Sequence, residues 1–260
     1  MRILLVGDCH GNVEFMERVF AFAAFESCER LVQLGDFGFG YSYRRTDDGS
    51  LLCRFSESMA SLVASTEIEL DFIEGNHDNH VDLTSTPADA DGRRTVAPGV
   101  RNLPRGHRFE IDGCSFLVCG GGVSVNKADL TTYVNWWPGE EVTDADVLRC
   151  AGDHVDVLLT HDAPREAPLT GFVGFGEDID RASEASRQRV SMILEDAQPF
   201  WAIHGHHHQA YVQRPGPGSH TTIVGLGSDH GPFAHGVAVF DTTSRQLTMV
   251  DDLLSAEERP

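Results

Sequence analysis

Five times along this chain, a short apolar run ends at a cluster of Asp, Asn or His side chains. The clusters are, in chain order, Asp8-Cys9-His10, Gly35-Asp36, Gly75-Asn76-His77-Asp78, His161-Asp162 and Gly205-His206-His207-His208. Short apolar runs are typical of buried strands, and ligands bind at the carboxyl ends of strands in α/β sheets. The pattern therefore predicts an α/β fold that brings these polar side chains to one binding site.

The first third of the chain alternates predicted strands and helices. Strands are predicted over Arg2–Val6, Leu31–Leu34 and Ile68–Ile73. One helix is predicted from an Asn12 cap to about Phe25, because its apolar residues recur with the 3.6-residue period. A second is predicted from Leu51 to about Ser65. Alternation of this kind is typical of βα units.

Beyond residue 84 the pattern changes. The stretch Thr84–Pro104 is rich in Pro, Asp, Gly and Arg, which predicts a loop, and Asp112-Gly113 predicts a hairpin turn between two strands. The remaining predicted elements are strands His107–Ile111 and Ser115–Cys119, helix Thr143–Ala151, strand Val155–Leu159, a helix from Arg181 to about Asp196, strand Phe200–Ile203 and tail strands Thr221–Leu226, Gly236–Phe240 and Leu247–Val250.

Length, cysteine usage and charge limit the function classes. A chain of 260 residues predicts one domain, and six scattered cysteines predict free buried thiols of a reducing cytoplasm. The short apolar run at the N-terminus predicts neither an export signal nor a membrane span. Forty acidic residues against twenty basic ones give a formal charge of −20, which disfavours long nucleic acids as partners.

The clusters contain the side-chain types that bind divalent metals. Residues i and i+2 of an extended segment project to the same side, so Asp8 with His10, and His206 with His208, can each bind one ion. Asn76 offers a neutral carbonyl oxygen. A single such pair occurs often by chance, but five clusters in this order point to a hydrolytic centre with two metal ions.

The ordered set resembles the calcineurin-like metallophosphoesterase superfamily, whose signature is D-x-H, GD, GNH(D/E), a lone His and GHxH. The match runs from Asp8 to His208. The resemblance implies a four-layer α/β/β/α sandwich, in which two mixed sheets are flanked by helices. It also implies one metallophosphoesterase domain over residues 1–260.

The resemblance further implies a ligand set and a mechanism. One ion would be bound by Asp8, His10, Asp36 and His208, and the other by Asp36, Asn76, His161 and His206, so that Asp36 bridges. The two metal ions would polarise the phosphoryl oxygens and convert a shared water to hydroxide. His77 would serve the leaving oxygen as a catalytic residue, and Asp78 would orient its ring. Mixed nitrogen and oxygen ligands lead us to expect Mn²⁺, with Fe, Zn, Ni and Co as alternatives.

Departures from the signature narrow the comparison. The Ser/Thr protein phosphatases carry GDxVDRG and GNHE, whereas this chain has Gly35-Asp36-Phe37-Gly38-Phe39-Gly40 and ends its third cluster in Asp78. A protein phosphatase of that type is therefore disfavoured.

Residues 120–142 resemble a G-G-A-x-S-x-D-K…W-W-P-x-E pattern found in a group of bacterial and phage metallophosphoesterases. Gly122 replaces the Ala of that pattern and Asn126 replaces the Asp. We predict a substrate-cap loop in which Trp136 or Trp137 stacks on a base and Lys127, the sole lysine, meets a phosphate. The alternative is that the two tryptophans only pack beneath the loop.

The sequence thus predicts a cytoplasmic phosphoric ester hydrolase with two divalent ions. Small phosphodiesters are the predicted substrates, with 2′,3′- or 3′,5′-cyclic AMP as first choice. A phosphomonoesterase or phosphoprotein phosphatase, and a metal-binding scaffold without catalysis, are the alternatives. The expected partner is a small phosphate ester of the nucleotide class. Neither long nucleic acid nor a membrane is an expected partner, and the oligomeric state is not predicted.

Overall fold

A computed structural model describes residues 1–45, 51–171, 174–214, 216 and 219–250. Its strands are β1 (Arg2–Val6), β2 (Arg30–Gln33), β3 (Tyr43–Arg45), β4 (Leu51–Cys53), β5 (Glu69–Phe72), β6 (Arg94–Ala97), β7 (Val100–Asn102), β8 (Arg108–Ile111), β9 (Cys114–Cys119), β10 (Val157–Thr160), β11 (Trp201–His204), β12 (Tyr211–Gln213), β13 (Thr222–Gly225), β14 (Val237–Asp241) and β15 (Gln246–Met249). The α-helices are α1 (Val13–Phe25), α2 (Arg54–Thr66), α3 (His80–Ser85), α4 (Asp144–Cys150) and α5 (Glu177–Ala197).

Two mixed sheets form the centre of the fold. The first sheet has seven strands in the order β15-β14-β1-β2-β5-β7-β6, and the second has six in the order β12-β13-β11-β10-β9-β8. Strands β1, β2, β5 and β7 run parallel in the first sheet, as do β9, β10, β11 and β13 in the second. The parallel strands of each sheet deliver their carboxyl ends to the same edge.

The buried apolar side chains form three clusters, because successive residues of a strand face opposite sides of its sheet. In β1, Ile3 and Leu5 pack between the two sheets, whereas Leu4 and Val6 pack against α1 and α2. In β10, Leu158 faces the cluster that contains residues of α4 and α5. Because apolar residues face both sides of these strands, each sheet is covered on both faces. The predicted helix–sheet–sheet–helix sandwich is confirmed.

Several predicted boundaries are accurate and others differ. The Asn12 side chain accepts a hydrogen bond from the Phe15 amide and caps α1, as predicted. The helix predicted from Leu51 begins at Arg54, because residues 51–53 form β4 instead. Helix α5 begins at Glu177, earlier than predicted, with three acidic residues in its first turn, where the helix dipole favours negative charge.

The loop predicted over Thr84–Pro104 is wrong. This stretch contains the end of α3 and the hairpin β6–β7, whose second strand pairs in parallel with β5. Arg101 in β7 reaches across to Asp71 in β5, with 2.8 Å between its Nε and Oδ1. A short strand near the sheet edge that carries a charged side chain for such a pair lacks the apolar signal that predicts strands.

Two further observations bear on the class of protein. All six cysteines are free and buried, as predicted. Among the described residues, no helix has both the length and the apolarity needed to cross a membrane.

Candidate metal centre

The five polar clusters meet where the carboxyl ends of the two sheets face each other. Asp8 follows β1, Asp36 follows β2 and Asn76 follows β5 in the first sheet, while His161 follows β10 and His206 follows β11 in the second. Both Asp side chains, Asn76 and His161 are buried. The sheet packing thus brings together residues that are distant in sequence, as the hydrogen bond between the His208 ring and the Asp8 carboxylate shows (|i−j| = 200).

The first group of ligand atoms comes from Asp8, His10 and His208, and all three atoms lie within 4.8 Å of one another. His208 Nε2 is 3.0 Å from Asp8 Oδ2, and His10 Nε2 is 4.0 Å from the same oxygen. These spacings suit a small cation between the three atoms.

The second group comes from Asp36, His161 and His206, again within 4.8 Å. Asn76 joins it, since its Oδ1 lies 2.9 Å from His161 Nε2. Asp36 contacts both groups: Oδ2 is 3.6 Å from His10 Nε2, and Oδ1 is 3.5 Å from His161 Nε2. One carboxylate thus faces two cation positions with different oxygens.

The donor chemistry at His161 fits a metal ion. Its Nδ1 lies 2.7 Å from the Leu34 carbonyl oxygen, which can only accept, so Nδ1 carries the proton. In the neutral ring Nε2 is then a bare lone pair, yet it faces the oxygens of Asn76 and Asp36. Three converging lone pairs repel one another unless a cation lies between them.

The electrostatics of the site give the same answer. Burial disfavours charge on His10, but hydrogen bonding and the negative charge of Asp36 outweigh it and raise the pKa of His10 to about 10. Burial likewise opposes a charge on His161, and the carboxylates of Asp36 and Asp8 raise its pKa all the same. The buried carboxylates therefore require nearby positive charge, which protons or divalent cations can supply.

Backbone geometry is unusual at four of the ligand-type residues. His10, Asp36, His206 and His208 have φ angles of 43°, 50°, 63° and 53°. Positive φ is sparsely populated for residues with a side chain, and such conformations cluster at functional sites. Gly35 tightens the same region, since a Cβ there would lie 2.2 Å from His161 Nδ1.

The two residues expected to act in catalysis have different surroundings. His77 lies at the mouth of the site, and its backbone amide donates to Asp36 Oδ1 over 2.9 Å. Asp78 was expected to orient the His77 ring. Instead its carboxylate accepts from four backbone amides, those of Phe37, Gly38, Phe39 and Gly75. Asp78 therefore binds the loop after β2 to the loop after β5.

Burial raises the pKa of Asp78 to about 7, and the negative charge of Asp36 acts in the same direction. The backbone hydrogen bonds oppose this shift. Asp78 is thus a buried carboxyl whose charge is stabilised by the amides of a loop next to the candidate metal ligands.

Sequence patterns missed the residue that orients His10. Asp229, on the loop after β13, places Oδ1 at 2.7 Å from His10 Nδ1, and this contact turns Nε2 toward Asp8 and Asp36. The ring of His230 stacks on His10 at 5.1 Å between centroids. No local pattern marks these two residues, because their partner lies far earlier in the chain (|i−j| = 219 for Asp229).

A buried pair lies behind the second group. Asp162 Oδ1 is 3.0 Å from His207 Nε2, and its Oδ2 accepts from the Ser186 hydroxyl over 2.6 Å. These bonds tie the two buried residues to each other and to α5. They also place Asp162 beside the ring of His206: one carboxylate oxygen of Asp162 and one ring nitrogen each of His206 and His207 lie within 4.8 Å of one another.

An open cavity of about 370 Å³ adjoins the first metal group. His10 and His77 form its polar side, and Tyr41, Leu130, Val134, Asn135, Trp137 and His230 complete the lining. Trp137 is therefore both largely buried, at 4% exposure, and part of the cavity wall. Burial and substrate contact are compatible for this residue.

Lys127 and Trp136, the other two residues predicted to contact substrate, lie outside this lining. The Lys127 ammonium sits over the Trp136 ring, 4.2 Å from its centroid, which is a cation–π contact. Both residues belong to the predicted cap segment, but their contact is with each other.

Known proteins share this architecture. The sequence profile described as calcineurin-like phosphoesterase matches residues 1–210. Comparison with curated protein sequences gives no match. A dimetal phosphatase from Danio rerio is 13% identical, with 92% of this chain and 91% of that chain covered and a TM-score of 0.54. A protein of Thermus thermophilus is 14% identical, with 95% and 96% covered and a TM-score of 0.53. At these identities, the two structures show a shared fold.

Proposed function

Because this chain belongs to the calcineurin-like phosphoesterase family, whose members depend on two divalent metals, we propose that it hydrolyses small phosphodiesters, with cyclic nucleotides as the preferred class. The phosphoric ester hydrolase activity and the small phosphate-ester substrate follow from the family. The choice of a diester that carries a base is the part that we propose.

The cavity beside His10 and His77 carries this proposal. Its wall away from the ligand residues is mostly apolar, with Tyr41, Leu130 and Trp137 among the lining side chains. A nucleobase is flat and presents an apolar face, and aromatic side chains bind such faces by stacking. A phosphate at the metal centre would place its organic substituent in this cavity.

The charge of the lining favours a diester over a monoester. Within the described part of the chain, neither Arg nor Lys lines the cavity, and Lys127 is engaged with Trp136. A phosphate monoester carries up to two negative charges near neutral pH, whereas a diester carries one. A lining in which the described residues include neither Arg nor Lys to meet the extra charge suits the diester.

In this proposal the ligand sets are Asp8, His10, Asp36 and His208 for one ion, and Asp36, Asn76, His161 and His206 for the other. Bound divalent ions would supply Lewis acidity toward the phosphoryl oxygens and a lowered pKa of water. The mixture of nitrogen and oxygen donors leads us to propose Mn²⁺ for this chain.

His77 is the residue of this chain that would transfer the proton. Its ring lines the cavity, while its backbone amide is held by Asp36, and the ring belongs to neither of the two ligand groups. A His at this position can donate a proton to the leaving oxygen as a general acid.

A substrate comparison tests the proposal. With added Mn²⁺ the protein should hydrolyse bis-para-nitrophenyl phosphate, 2′,3′-cyclic AMP and 3′,5′-cyclic AMP faster than para-nitrophenyl phosphate, and a chelator should stop all four reactions. Faster hydrolysis of the monoester would support the phosphomonoesterase. Bound metal without any turnover in Mn²⁺, Fe²⁺, Co²⁺, Ni²⁺ or Zn²⁺ would support the scaffold without catalysis.

The two tryptophans offer a matched pair of variants. Trp137→Leu should raise KM for a cyclic nucleotide by at least about fivefold, since stacking on a base contributes about 1–3 kcal/mol, while KM for bis-para-nitrophenyl phosphate changes less. Trp136→Leu, outside the cavity lining, should not discriminate between the substrates. Equal effects of Trp137→Leu on both substrates would mean that this residue only packs.

A further inference from the structure

A chain of buried hydrogen bonds connects the cap segment to one proposed metal ligand. Asn76 Nδ2 donates to Ser124 Oγ over 2.9 Å, and Ser124 Oγ donates to Glu140 Oε2 over 2.5 Å. All three residues are 1% exposed. The sequence pattern placed Ser124 and Glu140 in the segment 120–142, but assigned neither a role.

The chemistry of Glu140, Ser124 and Asn76 fixes which group donates and which accepts in each of the two hydrogen bonds. A charged carboxylate only accepts hydrogen bonds, so the single hydroxyl hydrogen of Ser124 goes to Glu140. The Ser124 oxygen then offers only lone pairs to Asn76, and the NH₂ group of Asn76 must face it. The amide oxygen of Asn76 is thereby turned the other way, toward His161 Nε2 at 2.9 Å.

This direction matters because only one end of an amide can bind a cation. The oxygen of Asn76 is a ligand, whereas its NH₂ group would present hydrogens to the ion. The two ends have nearly the same shape, so packing alone discriminates weakly between the two orientations. A hydrogen-bond partner of fixed polarity is needed to select one.

The surroundings of Glu140 hold it in place. Its backbone carbonyl accepts from the Gly122 amide over 2.9 Å, and a Cβ on Gly122 would lie 3.2 Å from His206 Nε2. Burial raises the pKa of Glu140, while the hydrogen bond from Ser124 and the charge of Lys127 favour the ionised form. Lys127 thus contributes a favourable positive charge to the carboxylate at which the chain of hydrogen bonds begins.

We propose that Ser124 and Glu140 are positioning residues, which fix the amide of Asn76 with its oxygen toward the second metal ion. This inference rests on the proposed metal centre, but not on the substrate. It gives the residues of the cap segment a function in metal binding that is separate from any contact with substrate.

Metal binding provides the first test. Glu140→Gln keeps the size of the side chain but can donate to Ser124, which allows the chain of bonds to reverse and Asn76 to flip. Calorimetric titration with Mn²⁺ should show the second ion bound about 10–100-fold more weakly, the usual effect of losing a residue that orients a metal ligand. Glu141→Gln removes the same charge one residue along and should leave both affinities unchanged.

A double-mutant cycle separates orientation from general stability. Asn76→Asp supplies a ligand with two equivalent oxygens, which needs no orientation. In that background Glu140→Gln should change the affinity for the second ion by no more than about twofold, the scatter expected of independent sites. Equal weakening in both backgrounds, or no weakening with Asn76 present, would overturn the proposal.

Folding is checked by thermal unfolding of each metal-free variant. If Glu140→Gln unfolds, Ser124→Ala replaces it in the same cycle. This variant removes the middle group of the hydrogen-bond chain and should lower the affinity for the second ion to a similar extent. Normal Mn²⁺ binding by folded Ser124→Ala would also overturn the proposal. Because the readout is metal affinity, an inactive protein or a wrong substrate would leave the result interpretable.

Discussion

The two sheets contribute different atoms to the same centre. The first sheet delivers the oxygens of Asp8, Asp36 and Asn76, while the second delivers the imidazoles of His161 and His206, with His208 beyond them. His10 is the exception, a nitrogen donor on the side of the first sheet. The oxygen donors include the carboxylate that faces both groups of ligand atoms, so they connect the two cation positions.

The ligand residues differ in which sheet holds them in place. The Asp36 carboxylate is held from its own sheet, by the amide of His77. Two of the imidazoles are oriented from the opposite side: Leu34 accepts from His161, and Asp229 contacts His10. The Asp8 carboxylate of the first sheet is likewise held from the second, by the amide of His206 over 2.9 Å. These ligands therefore depend on how the sheets are packed, and the apolar layer between the sheets is part of what builds the site.

The largest expected effect tests the bridging role of the first sheet. Asp36→Asn removes the charge that faces both cation positions, so we expect loss of both ions and a rate at least about 10³-fold lower, since both metal contributions to catalysis are lost together. His206→Ala, on the second sheet, should remove only one ion. Metal analysis of the purified variants gives the stoichiometries.

A folded His206→Ala protein that loses both ions would contradict this division of roles. So would Asp36→Asn if it keeps one ion as tightly as the unchanged protein. Thermal unfolding in the presence of a chelator separates metal loss from a failure to fold.

The next largest effect concerns His77, whose ring lines the cavity and belongs to neither proposed ligand set. His77→Ala should lower kcat by about 10²–10⁴-fold, the usual contribution of general acid–base catalysis, with near-normal metal content. The measurement pairs kcat in saturating Mn²⁺ with the metal stoichiometry. Metal loss as severe as in Asp36→Asn would place His77 among the ligands instead.

Much of this centre could be predicted from the sequence, because its ligands occur in short local patterns at strand ends. Asp8 and His10 lie in one ligand group, as their spacing predicted. His206 and His208 also reach the site, but the prediction that they bind the same ion is wrong: their backbone is left-handed rather than extended, with φ of 63° and 53°, and they join different groups. The alternation of apolar strands with helices that carry an apolar face predicted an α/β fold, and the resemblance to the family implied the sandwich.

What the sequence did not predict depends on contacts between distant segments. Asp229 reaches His10, and Glu140 reaches Asn76 through Ser124, without any fixed spacing. Asp78 follows His77 directly, which suggested that it orients that ring, but the loop after β2 offers it three amides. Such partners are known only once the backbone is folded.

The smallest of these effects tests the orientation of an imidazole across the gap between the sheets. Asp229→Ala removes the carboxylate that holds His10 Nδ1 and that also accepts from Asn12 Nδ2 over 3.0 Å. We expect the first ion to bind about 10–100-fold more weakly, as when a residue that orients a metal-binding His is lost, and the second ion to bind as before. Because the ligands themselves remain, excess Mn²⁺ should restore most of kcat.

Asp241→Asn is the control. In the antiparallel register of β14 and β1, Asp241 lies opposite Arg2, which is at the start of β1 and therefore at the far end of the strand from Asp8. It should leave both affinities unchanged in the same Mn²⁺ titration. If Asp229→Ala weakens both ions equally, the loop after β13 stabilises the whole centre rather than one ring. A rate that stays low in excess Mn²⁺ would instead mean that Asp229 acts in the reaction itself, because metal occupancy would then no longer be limiting.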